Sequence, residues 1–179
     1  MTPLPRFERA VLPYLDAAYN LARWLTRNDE DAQDVVQEAV LRAFRYFDSM
    51  KDTDARAWLL AIVRNTGYTW LEKNRPSELV AFDEGAMAME IENSVHRISP
   101  ETNPEVILLQ GAQRKLVAQA LEDLPVAYRE VLVLRELEDL SYKEIAHIAG
   151  VPIGTVMSRL ARGREVLRRM LETRMKKAS

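Results

Sequence analysis

Residues 141–168, SYKEIAHIAGVPIGTVMSRLARGREVLR, read as two short helices meeting at a tight turn. The Ser141 hydroxyl can accept a hydrogen bond from a first-turn amide, and Glu144 stands three residues on, the capping-box spacing. Ile145, Ala146, Ile148 and Ala149 give the first helix an apolar stripe. Gly150 supplies the freedom a sharp turn needs, and Pro152 sets the entry to the second helix. The expected motif is a helix-turn-helix.

At about 100° per residue the second helix separates into two faces. Val156, Leu160, Gly163, Leu167 and Met170 fall on the packing side; Met157, Ser158, Ala161, Arg162, Glu165 and Arg169 fall outward. Small Ser158 and Ala161 beside Arg162 suit approach to base edges in a major groove, with Thr155, Arg159, Arg164 and Arg168 placed to reach phosphates. A basic solvated face is the plain alternative, but such a face requires no Ala146, Gly150 and Val156 frame.

Composition sets the wider limits. The chain has 179 residues, 47% hydrophobic and 29% charged, as expected of a globular protein large enough to bury a core. No apolar run of about 18 residues offers a membrane span, and MTPLPRFERAV lacks the apolar centre of a signal peptide, so the expected compartment is the cytoplasm, with no membrane insertion. Zero cysteines exclude disulfides and thiolate chemistry. Two histidines, His96 and His147, form no metal motif, and no phosphate-cradling glycine loop occurs. No catalytic residue, metal, cofactor or small-molecule substrate is expected. The formal charge of −2 divides unevenly: 0 over residues 1–75, −5 over 76–104, −3 over 105–140 and +6 over 141–179. Positive charge gathered on the turn motif fits local nucleic-acid contact by a chain that otherwise attracts DNA weakly.

Upstream the expectation is all-α, with two small helical domains, 1–75 and 105–179, joined by an acidic flexible linker, 76–104. Residues 7–27 carry helical spacing through Leu15, Ala18, Tyr19, Ala22 and Leu25, with Pro13 marking an early boundary. Asn28 or Asp29 caps the next helix, where Ala32, Val36, Ala39, Val40, Ala43, Phe44 and Phe47 gather opposite Asp34, Glu38, Leu41 and Arg45. Leu41, amid outward charges, is either an ordinary exposed leucine or a protein-contact anchor. In RAWLLAIVRNTGYTWLEK, residues 56–73, Leu59, Val63, Thr66 and Trp70 share the buried side and Arg64, Asn65, Tyr68 and Glu72 point away. That outward face suits stacking of single-stranded bases or plain solvation. Trp58 and Trp70 read as core aromatics. The linker has a possible short turn at MAMEIENSV. Beyond it come a helix over 105–122 and LPVAYREVLVLRELEDL, with Pro125 at a helix start and Val131, Leu132, Leu134 and Leu137 packing.

DAQDVVQEAVLRAFRYF (31–47), AWLLAIVRNTGYTWLEKNR (57–75) and LPVAYREVLVLRELEDLSYKEIAHIAGVPIGTVMSRLARGREVL (124–167) stand in that order. On these motifs the chain resembles the extracytoplasmic-function (ECF) group of bacterial sigma factors over nearly its whole length. The resemblance implies a transcription initiation factor that takes core RNA polymerase to promoter DNA under the control of an anti-sigma factor. It implies a polymerase-binding surface of Asp34, Gln37, Glu38, Leu41, Arg42 and Arg45. A −10 surface would comprise Phe47, Arg64, Asn65, Tyr68, Thr69, Lys73 and Arg75, the loop from Phe47 to Ala55 holding a flipped base. The −35 surface would be Thr155, Met157, Ser158, Arg159, Ala161, Arg162, Arg164 and Arg168. Met157 departs from the arginine or lysine common in relatives. The alternative is a polymerase-independent helix-turn-helix regulator.

Overall fold

The computed structural model describes residues 3–51, 54–80 and 113–178; among these no strand occurs. Helix α1 (Pro3–Val11) stops where Pro13, which has no amide hydrogen to offer, forces a 3-10 turn over Leu12–Tyr14, and α2 (Leu15–Thr26) follows. It ends at Arg27, whose backbone is left-handed with φ 60°. The Asn28 side chain then accepts from the Asp31 amide at 3.1 Å and opens α3 (Asp29–Arg45). Asp54 caps α4 (Ala55–Asn74) in the same manner. Helices α2, α3 and α4 pack pairwise around Leu21, Leu25, Val35, Ala39, Leu59 and Val63, and Phe7 of α1 joins them. Val35, unassigned by the helical reading, is buried, whereas Phe44 is 44% exposed. Trp58 and Trp70 are half-buried against this core.

The chain does not lapse at Pro76 as expected: α5 (Pro76–Val80) is helical. Its Glu78 pairs with Arg27 and lies 3.8 Å from both Arg75 and Arg129. Residues 81–112, which include the MAMEIENSV turn and the first part of the 105–122 helix, lie outside the described residues.

The second half begins with α6 (Gln113–Asp123). Pro125 starts α7 (Val126–Leu132), whose last part widens into a π turn over Val133–Leu137, the Glu138 amide reaching back to the Val133 carbonyl at 3.1 Å. The wider turn shifts the angular phase of its own last residues. Leu137 is accordingly 40% exposed instead of packed. Helix α8 (Tyr142–Ala149) carries the full capping box between Ser141 and Glu144, and those hydrogen bonds from Ser141 hold the Glu144 carboxyl below its usual range. Gly150 ends it at φ 67°, a conformation L side chains rarely adopt, and α9 (Ile153–Ala178) runs on for 26 residues. Val156, Leu160, Gly163 and Leu167 of α9 are buried. At Gly163 an added Cβ would stand 3.3 Å from the Tyr128 Cβ, so the glycine sets how closely α9 approaches α7.

The two halves are packed together. Helix α8 lies on α4, and α7 lies on α2. Arg129 is the central bond of the seam, 2% exposed, its guanidinium donating to the Glu122 and Leu124 carbonyls at 2.8 and 2.9 Å and to the Leu25 carbonyl of the first half at 3.4 Å. Burial first, and the nearby Arg27 charge second, lower its pKa to about 10, which leaves it cationic at neutral pH. Outgoing helix carbonyls are a favourable environment for that charge.

Candidate nucleic-acid interface

The outward side of α3 is open. Leu41 is 69% exposed, and Asp34, Gln37, Glu38 and Arg45 are exposed around it. Arg42 donates to Glu38 Oε1 at 2.6 Å one turn away, which fixes the charge pattern beside the leucine. Helical periodicity thus set Leu41 on the correct side, away from the core.

The face of α4 is different. Asn65 and Lys73 are exposed, and the Thr69 hydroxyl donates to the Asn65 carbonyl at 3.0 Å. Arg64 and Tyr68, expected to point into solvent, are covered by the C-terminal half. The Arg64 guanidinium lies 3.6 Å from the Tyr68 ring centre, and its Nε stands 3.3 Å from both carboxylate oxygens of Glu130. Glu130 is fully buried, and that burial raises its pKa against the opposing pull of Arg64. Burial likewise pushes the Tyr68 phenol far up, helped by the Glu130 charge. Arg75 is occupied within its own half: it donates to the Thr26 carbonyl at 2.6 Å and lies over Trp70. The Phe47 ring is 7% exposed, set edge-on between Phe7 and Trp58, so it is a core ring here and no stacking platform. Two members of the loop that follows it, Asp52 and Thr53, lie outside the described residues.

On α9 the expected outward face is present with one correction. Met157 and Ala161 are exposed, and Thr155, Ser158, Arg159 and Arg162 are half-buried, the Ser158 hydroxyl donating to the Thr155 carbonyl. Glu165, assigned outward, is only 3% exposed because Arg168 and Arg169 fold across it, donating at 2.7 and 3.1 Å. The Arg168 hydrogen bond, followed by both arginine charges, holds the Glu165 carboxyl below its usual range against its burial. Arg164 is held to Glu136 of the π turn at 2.7 Å. Carboxylates therefore aim Arg164, Arg168, Arg169 and Arg174 of this helix, and among the described residues Arg162 has no such partner. Sequence reasoning missed Glu130, Glu136 and the exposed Ile153, which lies one turn before Met157. The first two act across 66 and 28 residues of chain, a separation no local pattern reports. Among the described residues no helix is long and apolar enough to cross a membrane, and no cluster of potential metal ligands occurs.

Comparison with known proteins matches the two halves separately. Residues 10–76 fit the family described as Sigma-70 region 2, and residues 114–167 fit Sigma-70, region 4. The ECF RNA polymerase sigma-E factor of Escherichia coli (strain K12) is 39% identical over 140 residues, which span 76% of this chain and 72% of the relative. The chain belongs to the ECF family of RNA polymerase sigma factors. The sigma factor SigE of Mycolicibacterium smegmatis is 32% identical over 92% of this chain and 61% of its own length. Among solved structures, the sigma factor RpoE of Bartonella quintana, determined in complex with the anti-sigma factor NepR, aligns with a TM-score of 0.68 at 26% identity, over 93% of this chain and 97% of that one. As transcription initiation factors, sigma factors act by binding RNA polymerase and promoter DNA. In this sigma factor, the C-terminal half covers Arg64 and Tyr68 of the face assigned to the −10 element, through Glu130 of α7, while the outward faces of α3 and α9 remain available.

Proposed function

We propose that this sigma factor divides its work among three helices. The α3 face centred on Leu41, with Asp34, Gln37, Glu38, Arg42 and Arg45, docks on core polymerase. Helix α4 holds the melted −10 strand through Asn65, Thr69 and Lys73, and through Arg64 and Tyr68 once they are uncovered. Helix α9 enters the −35 major groove with Met157, Ser158, Ala161 and Arg162 toward the bases and its other arginines toward phosphates. Residues 1–75 and 105–179 act as separate promoter-binding units and 76–104 as their tether. With α5 uncoiled in the open form, the twenty-nine residues relax to a span of about 30 Å and stretch to about 95 Å, against roughly 70 to 100 Å between two elements two to three helical turns apart. The bound tether is therefore drawn out along the polymerase.

The observation that carries this reading is the pairing of a capped helix-turn-helix, whose second helix presents Arg162 with no ion-pair partner among the described residues, with an α3 face that leaves a 69% exposed leucine ringed by charge. Since the C-terminal half covers Arg64 and Tyr68 on α4, engagement of the −10 strand through them requires the halves to part. The same coverage suits the closed form to a resting state held by an anti-sigma factor, whose likeness is the partner of the Bartonella protein.

Run-off transcription with purified core polymerase tests the reading: initiation should depend on this chain. Arg162→Ala should weaken promoter-dependent initiation by about 1 to 3 kcal/mol while core binding persists. Duplex binding by the chain alone, with no initiation in the presence of polymerase, would overturn it in favour of a polymerase-independent regulator. The anti-sigma partner and core polymerase should compete, and a ternary complex surviving gel filtration would count against that control.

A further inference from the structure

The start of α9 exposes an apolar ridge that a phosphate-binding helix does not need. Ile153 is 44% exposed and Met157 53% exposed, and Ala161 is exposed one turn further on. At about 100° per residue, steps of four carry this ridge only about 40° around the helix per turn, so the three side chains are contiguous. The ridge borders the buried stripe of Val156 and Leu160 but lies outside it. Small residues flank it. A Cβ added at Gly154 would meet nothing within 4 Å, and the Ser158 hydroxyl is turned back onto the Thr155 carbonyl at 3.0 Å. The helix backbone can therefore come close to whatever the ridge touches.

What surrounds the ridge identifies its occupant. Among the described residues Arg162 has no carboxylate partner, Arg164 is aimed by Glu136, and Arg168 and Arg169 are aimed by Glu165, within a segment whose formal charge is +6. An apolar ridge framed by cations is complementary to a surface with an anionic rim and an apolar floor. Duplex DNA supplies both: phosphates border the major groove, and among the groups displayed on its floor the thymine C5-methyl is the apolar one. Met157 is unbranched and polarizable, so it can follow a methyl whose position varies slightly. We propose that Met157, with Ile153 and Ala161 on either side, selects thymine in the −35 element by contact with its C5-methyl group. The proposal rests on the reading of α9 as the −35 helix and specifies the chemistry of its readout.

The experiment uses holoenzyme assembled from the full chain and core polymerase. Bound fragments are selected from a promoter library randomised across the −35 element, and each selected thymine is then replaced by deoxyuridine, which removes the methyl group alone. Selection should enrich thymine, and at one or more positions deoxyuridine should weaken binding about fourfold, the factor expected for one buried methyl. Met157→Ala should weaken binding to the thymine fragment by a similar factor and abolish the deoxyuridine penalty. Met157→Leu, still apolar, should retain it. Enrichment of other bases, indifference to deoxyuridine, or a penalty that persists in Met157→Ala would overturn the methyl readout and leave the −35 assignment of α9 standing. Loss of core-polymerase binding in Met157→Ala, with unchanged DNA preference, would make the ridge a protein contact instead. No −35 sequence preference in the parent holoenzyme would overturn the assignment of α9 and the methyl readout together.

Discussion

Leu41 and Glu165 were both placed outward by the same angular reading, and only one of them is bare. Leu41 is 69% exposed and makes no core, so Leu41→Glu should shift folding stability by no more than about 0.5 kcal/mol. Burying the new carboxylate against polymerase should cost several kcal/mol, as for any charge desolvated without a partner. A normal melting temperature with core-polymerase binding lost in a pull-down is the expected pair of results, and a large fall in melting temperature would return Leu41 to the core. Glu165 shows where the angular reading stops. Periodicity reports the direction in which a side chain leaves its helix, but Arg168 and Arg169 lie across this one and bury it to 3%. Phe47 had two readings, the apolar stripe by angle and the −10 surface by resemblance, and the stripe prevails: the ring centre of Phe7, forty residues away in the sequence, lies 5.4 Å from that of Phe47.

Helix boundaries were the most legible elements, because their causes are local. Asn28, Asp54 and Ser141 each accept the first-turn hydrogen bond their chemistry suggests, and Pro13 and Gly150 interrupt the chain where their backbones require it. The π turn over Val133–Leu137 was not legible: no proline, glycine or capping residue in VLREL marks a widened turn. Gly150 gives the element-scale prediction. A Cβ there would meet nothing within 4 Å, so Gly150→Ala pays only for a left-handed backbone, about 1 to 2 kcal/mol. Denaturant unfolding should show a loss of that size with an unchanged m-value. An unaltered midpoint would show that the turn relaxes to another conformation at no cost.

The contact between the two halves was hidden from the sequence altogether, because the groups that make it are remote in the chain and individually look like solvated charges. Asn20 donates to Glu138 at 2.7 Å, the Arg56 guanidinium to the Glu138 carbonyl, and Arg64 to the buried Glu130. The last pair yields a signed pH dependence. Burial raises the Glu130 pKa, so its favourable contribution is complete below the ordinary carboxyl value and is lost as pH rises through the raised one; Arg64 offsets part of that loss. Arg64→Ala removes the strongest of the groups that favour the ionised carboxylate. It should destabilise the closed protein by about 3 kcal/mol at neutral pH, and by progressively less at acid pH as Glu130 takes up a proton. Chemical unfolding at the two pH values measures the difference, and a loss of equal size at both would mean that Arg64 contributes by packing alone.

The seam also sets a threshold of supply. A partner that binds only the parted chain sees its affinity divided by the fraction of molecules that are parted: were that fraction about one in a hundred, the melted −10 strand would be held about a hundredfold more weakly than its contact surface allows. The concentration at which this protein begins to open promoters would then be governed by residues such as Asn20 and Glu138, which lie outside all three proposed recognition faces. Evolution could retune that concentration through them while promoter choice and polymerase fit stayed as they are.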